Sequence, residues 1–409
     1  MTIGYYISKI NASDGGIYQY SVYILKMLLS SNEIKKIYLF YSLNQKSTFG
    51  TFLNNSKVIP VLHDRSGRIY NYQKKLAEFF LTRYYLRQSN STFAYKLYSF
   101  INPDRRFLNR FKPDVLHVPR QHSPSYNLNY PVVVSMHDVQ QLHYPEFFSP
   151  LERIYRSIGY YTSLSEASHV IVSYEHVKKD IKKYFKSIAA DVTVCAVPMN
   201  EDWTEIKAQT DSDLLKKKYN LPDKFILTPA ATWEHKNHRA VLEALSILRH
   251  KGEKVFWVST GNKTAYYSTI EEKIIELGLE DQVIFTGLVS DADLVGLFKM
   301  TSLVVIPTLY EAGSGPLFEA MRYQVPVICS NITSLPDTIR NDEFLFDPHN
   351  YKKIAELISV GLSDKNFIER NKANSLKRIT ELQNGDFAPA FLSAYQSAIE
   401  FHKNKSKSA

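Results

Sequence analysis

Short runs of β-branched and aromatic residues alternate along the chain with longer stretches whose apolar residues have helix-like spacing. Seven such runs precede residue 199, and six more begin from residue 224 onward. The runs are apolar throughout instead of alternating with polar residues, which is typical of parallel strands buried on both faces. Strands that alternate with helices predict an α/β fold with doubly wound parallel sheets.

Chain length and one polar stretch predict the domain organisation. The 409 residues exceed one ordinary core, and a prior of roughly 200 residues per domain predicts two domains. A polar stretch that begins at residue 199 separates the two sets of apolar runs. We predict a first domain over 1–197, a second over 198–385, and a C-terminal helix over 386–409 that packs back on the first domain and ends in a basic tail. Two domains imply a cleft between them.

The composition is that of a globular protein. Hydrophobic residues make up 44% of the chain and aromatic residues 13%, yet no apolar run approaches the roughly 18 residues that a membrane span needs. The first ten residues, MTIGYYISKI, lack the features of a secretory signal. Cys195 and Cys329 are the only cysteines, which favours a reducing compartment and no disulfide framework. We therefore expect a cytoplasmic protein.

The formal net charge of +9 is concentrated in one segment. Residues 64–112 contain eleven Lys or Arg and three acidic residues, together with the aromatic clusters EFFLTRYYLR and FAYKLYSF. Such a segment could lie on an anionic membrane surface, with its rings at the level of the lipid headgroups. It could equally be a solvated helical face whose aromatic side chains belong to the core. We expect no nucleic acid partner.

Ligands of open α/β sheets bind at the carboxyl ends of the strands, so the residues that follow the apolar runs are the candidate site. Several of these residues carry chemistry suited to a ligand. They are Gly15 and Gly16 after the first run, His137 after PVVVSM, Lys236 after KFILTPA, and Glu311 to Glu319 after SLVVIP.

The stretch EAGSGPLFE, residues 311–319, predicts an anion site at the start of a helix. Gly313 and Gly315 free the backbone, Ser314 is suited to cap a helix, and Pro316 fits the first helical turn. Backbone amides exposed at a helix start bind phosphate groups well. We therefore expect a diphosphate there.

The carboxylates Glu311 and Glu319 need a different partner, because they would repel a phosphate. Ionised carboxylates only accept hydrogen bonds, and the hydroxyl groups of a ribose or a hexose are matching donors. Lys236 supplies a compact cation for the phosphates. A glycine pair such as Gly15 and Gly16 is compatible with a tight turn or with close approach to an anion. One ligand satisfies all these groups: a nucleotide diphosphate sugar.

Two patterns invite a metal site, and neither is strong. His235 and His238 lie three residues apart without further ligands. Asp291 and Asp293 have the D-x-D spacing of metal-dependent transferases, but Ser290 before them indicates a helix cap with acidic residues in the first turn. We predict the cap, and we expect no metal.

Four segments, in the same order, resemble the retaining glycosyltransferases of family 4, which have the GT-B fold of two Rossmann-like domains facing a central cleft. LYEAGSGPLFEAMRYQVPVICSNITSLPD resembles the E-x7-E segment of that family, and PAATWEHKNHRAVLEAL resembles the W-x-H-K-N-H segment of one branch. PVVVSMHDVQQLHYPEFF resembles the His-Asp strand end, and the early DGG resembles the glycine loop. The resemblance extends from residue 1 to about residue 400.

The resemblance implies roles for single residues. Glu311 would contact the donor sugar near the reacting centre, and Glu319 would hold the ribose hydroxyls. Lys236 would neutralise the diphosphate. His137 would hydrogen-bond the donor sugar near the anomeric carbon.

The remaining implied roles belong to backbone groups and loops. The amides around Ser314, Gly315, Pro316 and Leu317 would assist Lys236. Gly16, in the loop with Gly15, would approach the distal phosphate and sugar from the other domain. By analogy, the base would lie near residues 286–290.

The chain departs from the family pattern at a few positions. Ala230 stands where members often carry an Arg six residues before the lysine, so a second cation would have to come from Arg239 or Lys263 or be absent. Gln324 replaces the glycine that usually ends the E-x7-E helix, and in a left-handed conformation it would cost roughly 1 kcal/mol. Ala312 and Ser314 replace bulkier residues.

The sequence thus predicts a retaining, metal-independent hexosyltransferase that needs no cofactor. Its donor would be a nucleotide sugar, with GDP-mannose or a UDP-hexose as the guess. Its acceptor would be a hydroxyl of a growing surface polysaccharide or a lipid-linked glycan, and the protein could be peripheral on the inner face of the cytoplasmic membrane. Two alternatives remain open: a GT-B epimerase or phosphorylase, and a catalytically silent partner protein.

Overall fold

The structure, a computed structural model, describes residues 1–8, 10–11, 16–64, 66–86, 91–197 and 211–407. The chain divides into two compact units. The first unit consists of Met1–Pro198 with Asp386–Ala409, and the second consists of Met199–Gly385. No helix within the described ranges is long and apolar enough to cross a membrane.

The first unit is a seven-stranded parallel sheet with helices between the strands. Its elements are β1 (Thr2–Tyr6), α1 (Gly16–Ser30), β2 (Lys36–Tyr41), α2 (Gly50–Leu53), β3 (Val58–Leu62), α3 (Arg68–Tyr85), α4 (Ser91–Ile101), α5 (Pro103–Leu108), β4 (Val115–Val118), β5 (Val132–Ser135), α6 (Gln140–His143), α7 (Pro150–Glu166), β6 (His169–Val172), α8 (Glu175–Tyr184) and β7 (Val192–Val194). The strand order is β3-β2-β1-β4-β5-β6-β7. The order reverses between β1 and β4, as in doubly wound sheets.

The second unit repeats the same plan with six parallel strands. Its elements are α9 (Ser212–Tyr219), β8 (Ile226–Pro229), α10 (His238–His250), β9 (Trp257–Thr260), α11 (Tyr267–Glu276), β10 (Val283–Gly287), α12 (Asp291–Met300), β11 (Leu303–Ile306), α13 (Gly315–Arg322), β12 (Val327–Ser330), α14 (Leu335–Ile339), β13 (Leu345–Phe346), α15 (Tyr351–Ser363) and α16 (Lys365–Asn384). The strand order is β10-β9-β8-β11-β12-β13. Here the order reverses between β8 and β11.

The last helix, α17 (Ala388–Lys407), belongs to the first unit. Phe391 and Tyr395 on this helix are fully buried in the same apolar cluster as Ile3 and Val133 of the sheet. The Tyr395 hydroxyl also lies 2.8 Å from Nδ1 of the buried His117 on β4. Apolar burial and this hydrogen bond together hold α17 on the sheet.

All thirteen apolar runs form strands, which confirms the predicted α/β class with two doubly wound parallel sheets. The expectation that every strand is buried on both faces is wrong for the strands at the sheet edges. Side chains of β3, β7 and β10 are partly exposed, whereas the central strands β4, β5, β9 and β11 are fully buried. An edge strand has a neighbour on one side only, so helices cover it less completely.

Candidate functional site

The two strands at which the second sheet reverses its order carry the main candidate residues. The loop after β8 contains Lys236, and the loop after β11 contains Glu311. Adjacent parallel strands end at the same sheet edge, and a reversal of strand order opens a crevice there. The carboxyl-end rule therefore correctly brings these two residues together.

Lys236 and Glu311 form a direct ion pair. The distance from Lys236 Nζ to Glu311 Oε2 is 2.6 Å, and both side chains are mostly buried. They line a narrow crevice with Ala230 and Pro316. Pro316 belongs to the first turn of α13, the helix predicted to bind an anion. Because Glu311 contacts Lys236, it neutralises the ammonium next to this predicted anion site.

The two loops are fastened to each other by backbone groups. The carbonyl oxygen of His235 accepts hydrogen bonds from the backbone N–H of Leu309 at 2.7 Å and from the hydroxyl of Thr308 at 2.9 Å. Asn237 has a left-handed backbone with φ of 55°, and its side-chain amide donates to the carbonyl of Pro307 at 3.0 Å. These hydrogen bonds hold Lys236 and Glu311 in one geometry.

The start of α13 has the predicted cap. Ser314 is the N-cap residue, its hydroxyl accepts a hydrogen bond from the N–H of Leu317 at 3.4 Å, and Pro316 lies in the first turn. Two of the four positions named for the anion do not present a free N–H group. Pro316 has no N–H, and the N–H of Leu317 is bonded to Ser314. Within the described chain, the N–H groups of Ser314 and Gly315 have no hydrogen-bond partner.

Gly315 is not required by the packing of the protein. A Cβ atom at this position would meet no other atom within 4 Å, and its φ lies outside the left-handed range. A helix start usually tolerates alanine at no cost. The neighbouring Gly313 is exposed in the turn before the helix. The open space above Gly315 suits the close approach of a ligand to the backbone.

Glu319 lies one turn further along α13 and is 8% exposed. No described residue donates a hydrogen bond to its carboxylate. Burial, followed by the charge of Asp291, raises the pKa of Glu319 to about 7, while Arg322 acts in the opposite direction. A nearly buried carboxylate without donors is costly, so Glu319 is ready to accept hydrogen bonds from a ligand.

In the first unit, Gly16 and His137 follow the carboxyl ends of β1 and β5. Gly16 is the first residue of α1, and a Cβ atom there would meet nothing within 4 Å. Gly15 lies outside the described residues. Gly16 therefore has the same open surroundings as the glycine at the start of α13.

His137 is oriented by one backbone contact. Its Nε2 lies 3.1 Å from the carbonyl oxygen of Pro119. Because a carbonyl oxygen only accepts, Nε2 carries the hydrogen atom and is the hydrogen-bond donor. The Tyr20 ring and the imidazole pack in a T-shaped arrangement with a centroid distance of 4.7 Å. Burial lowers the pKa of His137 and keeps the ring neutral at pH 7. The other nitrogen, Nδ1, is then an acceptor suited to a sugar hydroxyl.

The patterns that invited a metal site have structural roles. His238 is fully buried beside the rings of Trp257 and Phe285. Ser290 caps α12 as predicted, by accepting a hydrogen bond from the N–H of Asp293. The carboxylate of Asp293 receives hydrogen bonds from Lys218 at 2.6 Å and from Tyr219 at 2.8 Å. Among the described residues, no group of three or more metal-ligating side chains is present.

The positions that depart from the family pattern have clear structural consequences. Ala230 lines the crevice of Lys236. Arg239 lies 3.7 Å from Glu243, and Lys263 lies over the Tyr267 ring. Neither belongs to the described residues that line this crevice. Gln324 has φ of 56°, which confirms the left-handed conformation expected at the end of α13.

Sequence reasoning missed Thr333 and Ser334, which position Glu311. The hydroxyl of Thr333 accepts a hydrogen bond from the Glu311 N–H at 3.1 Å, and the hydroxyl of Ser334 donates to the Glu311 carbonyl at 2.9 Å. Thr333 has φ of 50°, which is strained for a β-branched residue. Both residues follow β12, so the carboxyl-end rule could have found them.

Two family models match separate parts of the chain. Glycosyltransferase Family 4 matches residues 58–199, and Glycosyl transferases group 1 matches residues 211–378. Together the two matches cover well over half of the chain. The chain belongs to the glycosyltransferases of family 4.

Curated relatives include mannosyltransferases of Escherichia coli. The chain is 28% identical over 291 residues to the serotype-specific mannosyltransferase WbdA, a match that covers 64% of this chain and 34% of WbdA. The chain thus spans about a third of the length of this relative. It is 24% identical over 387 residues to the O-antigen chain mannosyltransferase B, covering 93% of this chain and 96% of that protein.

Solved structures share the fold along nearly the whole chain. A glycosyltransferase from Rickettsia africae ESF-5 superposes with a TM-score of 0.64 at 17% identity, covering 97% of this chain and 98% of that one. Anabaena Alr3699/HepE in complex with UDP and glucose gives a TM-score of 0.60 at 16% identity, covering 96% and 100%. These similarities confirm the predicted GT-B class of two doubly wound domains.

Proposed function

We propose that this chain transfers a hexose from a nucleotide diphosphate sugar to a hydroxyl of a growing surface polysaccharide or a lipid-linked glycan, with retention of the anomeric configuration. The family supports the reaction class, and relatives named as O-antigen mannosyltransferases support the acceptor class. The observation that carries the proposal is the set of groups around α13: the ammonium of Lys236, two N–H groups that have no partner among the described residues, and the buried Glu319 carboxylate, which receives no hydrogen bond from those residues.

In the proposed reaction, Lys236 and the N–H groups of Ser314 and Gly315 take up the negative charge that develops on the departing diphosphate. Fixed cationic and amide groups stabilise such charge without reorganisation. A diphosphate would compete with Glu311 for Lys236, and Glu311 would then be released to a hydroxyl of the donor sugar. His137 would accept another sugar hydroxyl through Nδ1. The acceptor hydroxyl would attack the anomeric carbon from the face on which the diphosphate leaves. The bond from that carbon to the diphosphate oxygen would break, and the hydroxyl proton would pass to the departing diphosphate. These groups need no metal.

A thermal-shift panel of UDP, GDP, ADP and their sugars tests the donor class. GDP-mannose remains our guess, with UDP-hexoses next. A nucleotide sugar present at 100 times its dissociation constant should add about 2.7 kcal/mol to the free energy of unfolding. Release of nucleoside diphosphate that requires a glycan acceptor supports transfer. Conversion of the nucleotide sugar alone would instead indicate an epimerase, and binding without any turnover would indicate a silent partner.

Replacing Gly315 by Ala should weaken binding of the nucleotide sugar by about tenfold without loss of stability. The new methyl group meets no protein atom, and alanine at a helical position is neutral or stabilising by up to about 1 kcal/mol. It would, however, occupy the space through which a diphosphate reaches the backbone. Isothermal titration and urea unfolding measure the two quantities.

Gly50→Ala is the matched control for this variant, because Gly50 begins α2 and also has open space around it. The control should bind the nucleotide sugar as the parent protein does. Unchanged binding by the Gly315→Ala variant would remove α13 from the proposed diphosphate site.

We also propose that residues 64–112 hold the protein on an anionic membrane surface. Along α3, exposed Tyr72 and Phe79 alternate with Lys75 and Arg83 at spacings of three and four, and α4 repeats the pattern. This basic aromatic face consists of Tyr72, Lys75, Phe79 and Arg83 on α3 with Phe93, Lys96 and Phe100 on α4. Phe93 is 62% exposed and Phe100 is 76% exposed, which is unusual for side chains that belong to a core.

Flotation with vesicles that contain anionic lipid tests this face. Replacing Lys75 and Arg83 by Ser should weaken binding by about fivefold for each charge, since one basic residue near such a surface contributes about 1 kcal/mol. Added salt should have a similar effect on the parent protein. The control replaces the exposed Lys179 and Lys182 on α8. Equal losses in the variant and the control would show that only net charge matters.

A further inference from the structure

The first unit contains a cavity of about 580 Å³. Its floor is formed by the segments that lead into β5 and β6, and its walls come from α3, α4, α7 and α17. These segments lie at the amino ends of parallel strands, at the sheet edge opposite to the one that carries Gly16 and His137. The volume is in the range of roughly 300–1,000 Å³ typical of small-molecule sites. The cavity is therefore separate from the candidate transfer site of this unit.

The side chains that line this cavity are mostly polar, and their net charge is close to zero. Glu166 contributes a negative charge, and Lys405 contributes a positive one. Burial, followed by the charge of Lys405, lowers the pKa of His402 and keeps its imidazole neutral at pH 7. The other lining side chains are tyrosines, serines, asparagines and apolar residues. Such a cavity suits an uncharged ligand with many hydroxyl groups better than a phosphate or a lipid chain.

Glu166 is held in place as a hydrogen-bond acceptor. It is the last residue of α7, where the helix dipole disfavours a carboxylate. The hydroxyl of Tyr85 donates to Oε1 at 2.9 Å, and the hydroxyl of Tyr95 donates to Oε2 at 2.6 Å. A carboxylate has about four acceptor positions, so about two remain for the hydroxyls of a ligand.

Aromatic rings beside this carboxylate complete a pattern suited to sugars. The rings of Tyr84 and Tyr95 lie with centroids 4.5 Å apart, and both line the cavity. The face of an aromatic ring is electron-rich and attracts the C–H groups on one side of a pyranose, while amides and carboxylates bind its hydroxyls. Asn127 and Asn129 supply amide groups in the lining.

We propose that this cavity binds one or two sugar units of the glycan that the protein extends, apart from the transfer site. This inference rests on the proposed glycosyl transfer. Two linked sites on one polymer raise the effective concentration of the acceptor at the second site. Long acceptors should therefore bind more tightly than short ones, and the protein would stay bound to the growing glycan between successive sugar transfers.

Binding of mannotriose and maltotriose to the full protein, followed by saturation-transfer NMR and titration calorimetry, tests the cavity without any need for transfer. We expect one of these neutral trisaccharides to bind, and we expect Glu166→Gln and Tyr84→Ala each to weaken it at least tenfold. Tyr155→Ala is the control, because Tyr155 is 70% exposed on α7 and does not line the cavity. Circular dichroism melting verifies that each variant folds. No binding by the parent protein, or equal binding by all variants, overturns the inference.

Transfer kinetics give an independent readout. With the Glu166→Gln variant, kcat/KM for a long acceptor should fall to the value for a monosaccharide acceptor, while the value for the monosaccharide stays unchanged. Transfer that keeps its dependence on acceptor length in this variant overturns the inference and leaves the proposed function intact. Trisaccharide binding at Glu166 in a protein that shows no transfer with any donor would instead refute the proposed function and leave the cavity as a sugar-binding site without a role in extension.

Discussion

Replacing Glu319 by Gln is expected to stabilise the protein at pH 8 by about 3 kcal/mol and to change its stability little near pH 4. The pKa of this carboxyl is raised from 4.5 to about 7 in the folded protein, so the folded state binds more protons than the unfolded state between these values. Stability contributed by the protonated form is then lost as the pH rises through 7. Each unit of pKa difference corresponds to about 1.4 kcal/mol, and glutamine removes the penalty.

Tryptophan fluorescence during urea unfolding measures this effect in the second unit, because all three tryptophans, Trp203, Trp233 and Trp257, belong to Met199–Gly385. Glu272→Gln is the control for the loss of one exposed carboxylate on α11. A gain in stability that is equal at pH 4 and pH 8 would contradict the raised pKa. The Glu319→Gln variant should also bind a nucleotide sugar more weakly at pH 8, because an amide oxygen is a poorer acceptor for ribose hydroxyls than an ionised carboxylate.

Replacing Glu311 by Gln should raise the affinity for a nucleoside diphosphate and lower the rate of sugar transfer. Lys236 would lose the carboxylate 2.6 Å away that neutralises it, so affinity for a nucleoside diphosphate should rise about tenfold, which corresponds to 1.4 kcal/mol. Transfer should fall by about 100-fold to 1,000-fold, the usual effect of removing one electrostatic group from a reacting centre. Calorimetry with UDP or GDP and an assay of released diphosphate measure the two changes.

Glu234→Gln is the matched control for Glu311, because Glu234 is an exposed carboxylate in the same loop as Lys236. It should change neither quantity by more than a fewfold. If affinity for the diphosphate and the rate of transfer fell together in the Glu311→Gln variant, the carboxylate would be a structural support for Lys236 and not a partner of the donor sugar.

The sequence predicted the sheets well because buried parallel strands have a strong pattern. Runs such as PVVVSMH and SLVVIP are apolar on both faces and are bounded by polar loops, so their positions and class follow from periodicity alone. Edge strands use similar residues, and only the tertiary structure reveals that one side is less covered.

Local chemistry also predicted the two helix starts of the candidate site region. Ser314 and Ser290 cap α13 and α12, because a serine before a helical pattern supplies an acceptor for a free N–H. The left-handed backbone of Gln324 was expected from the family resemblance, because a glycine usually ends the corresponding helix. Each of these features depends on residues within a few positions of one another.

The carboxyl-end rule placed distant segments at the same sheet edge, but the particular contacts between them did not follow from it. The ion pair of Lys236 with Glu311 joins residues 75 positions apart, and Thr333 fixes the Glu311 backbone from a third loop. The buried position of Glu319 and its raised pKa depend on the packing of α13, which periodicity does not describe. Family resemblance could name the role of a residue, but it could not state which partner that residue has.

The position of α17 has a consequence for how the protein is made. Phe391 and Tyr395 complete the core of the first unit, yet they are synthesised after the whole of Met199–Gly385. At a ribosomal rate of 5–20 residues per second, synthesis of the second unit takes roughly ten to forty seconds, and only then is α17 available to pack on the first sheet. During that interval the apolar surface that α17 covers is open to chaperones and to other nascent chains, and the second unit is the first one able to complete its own core.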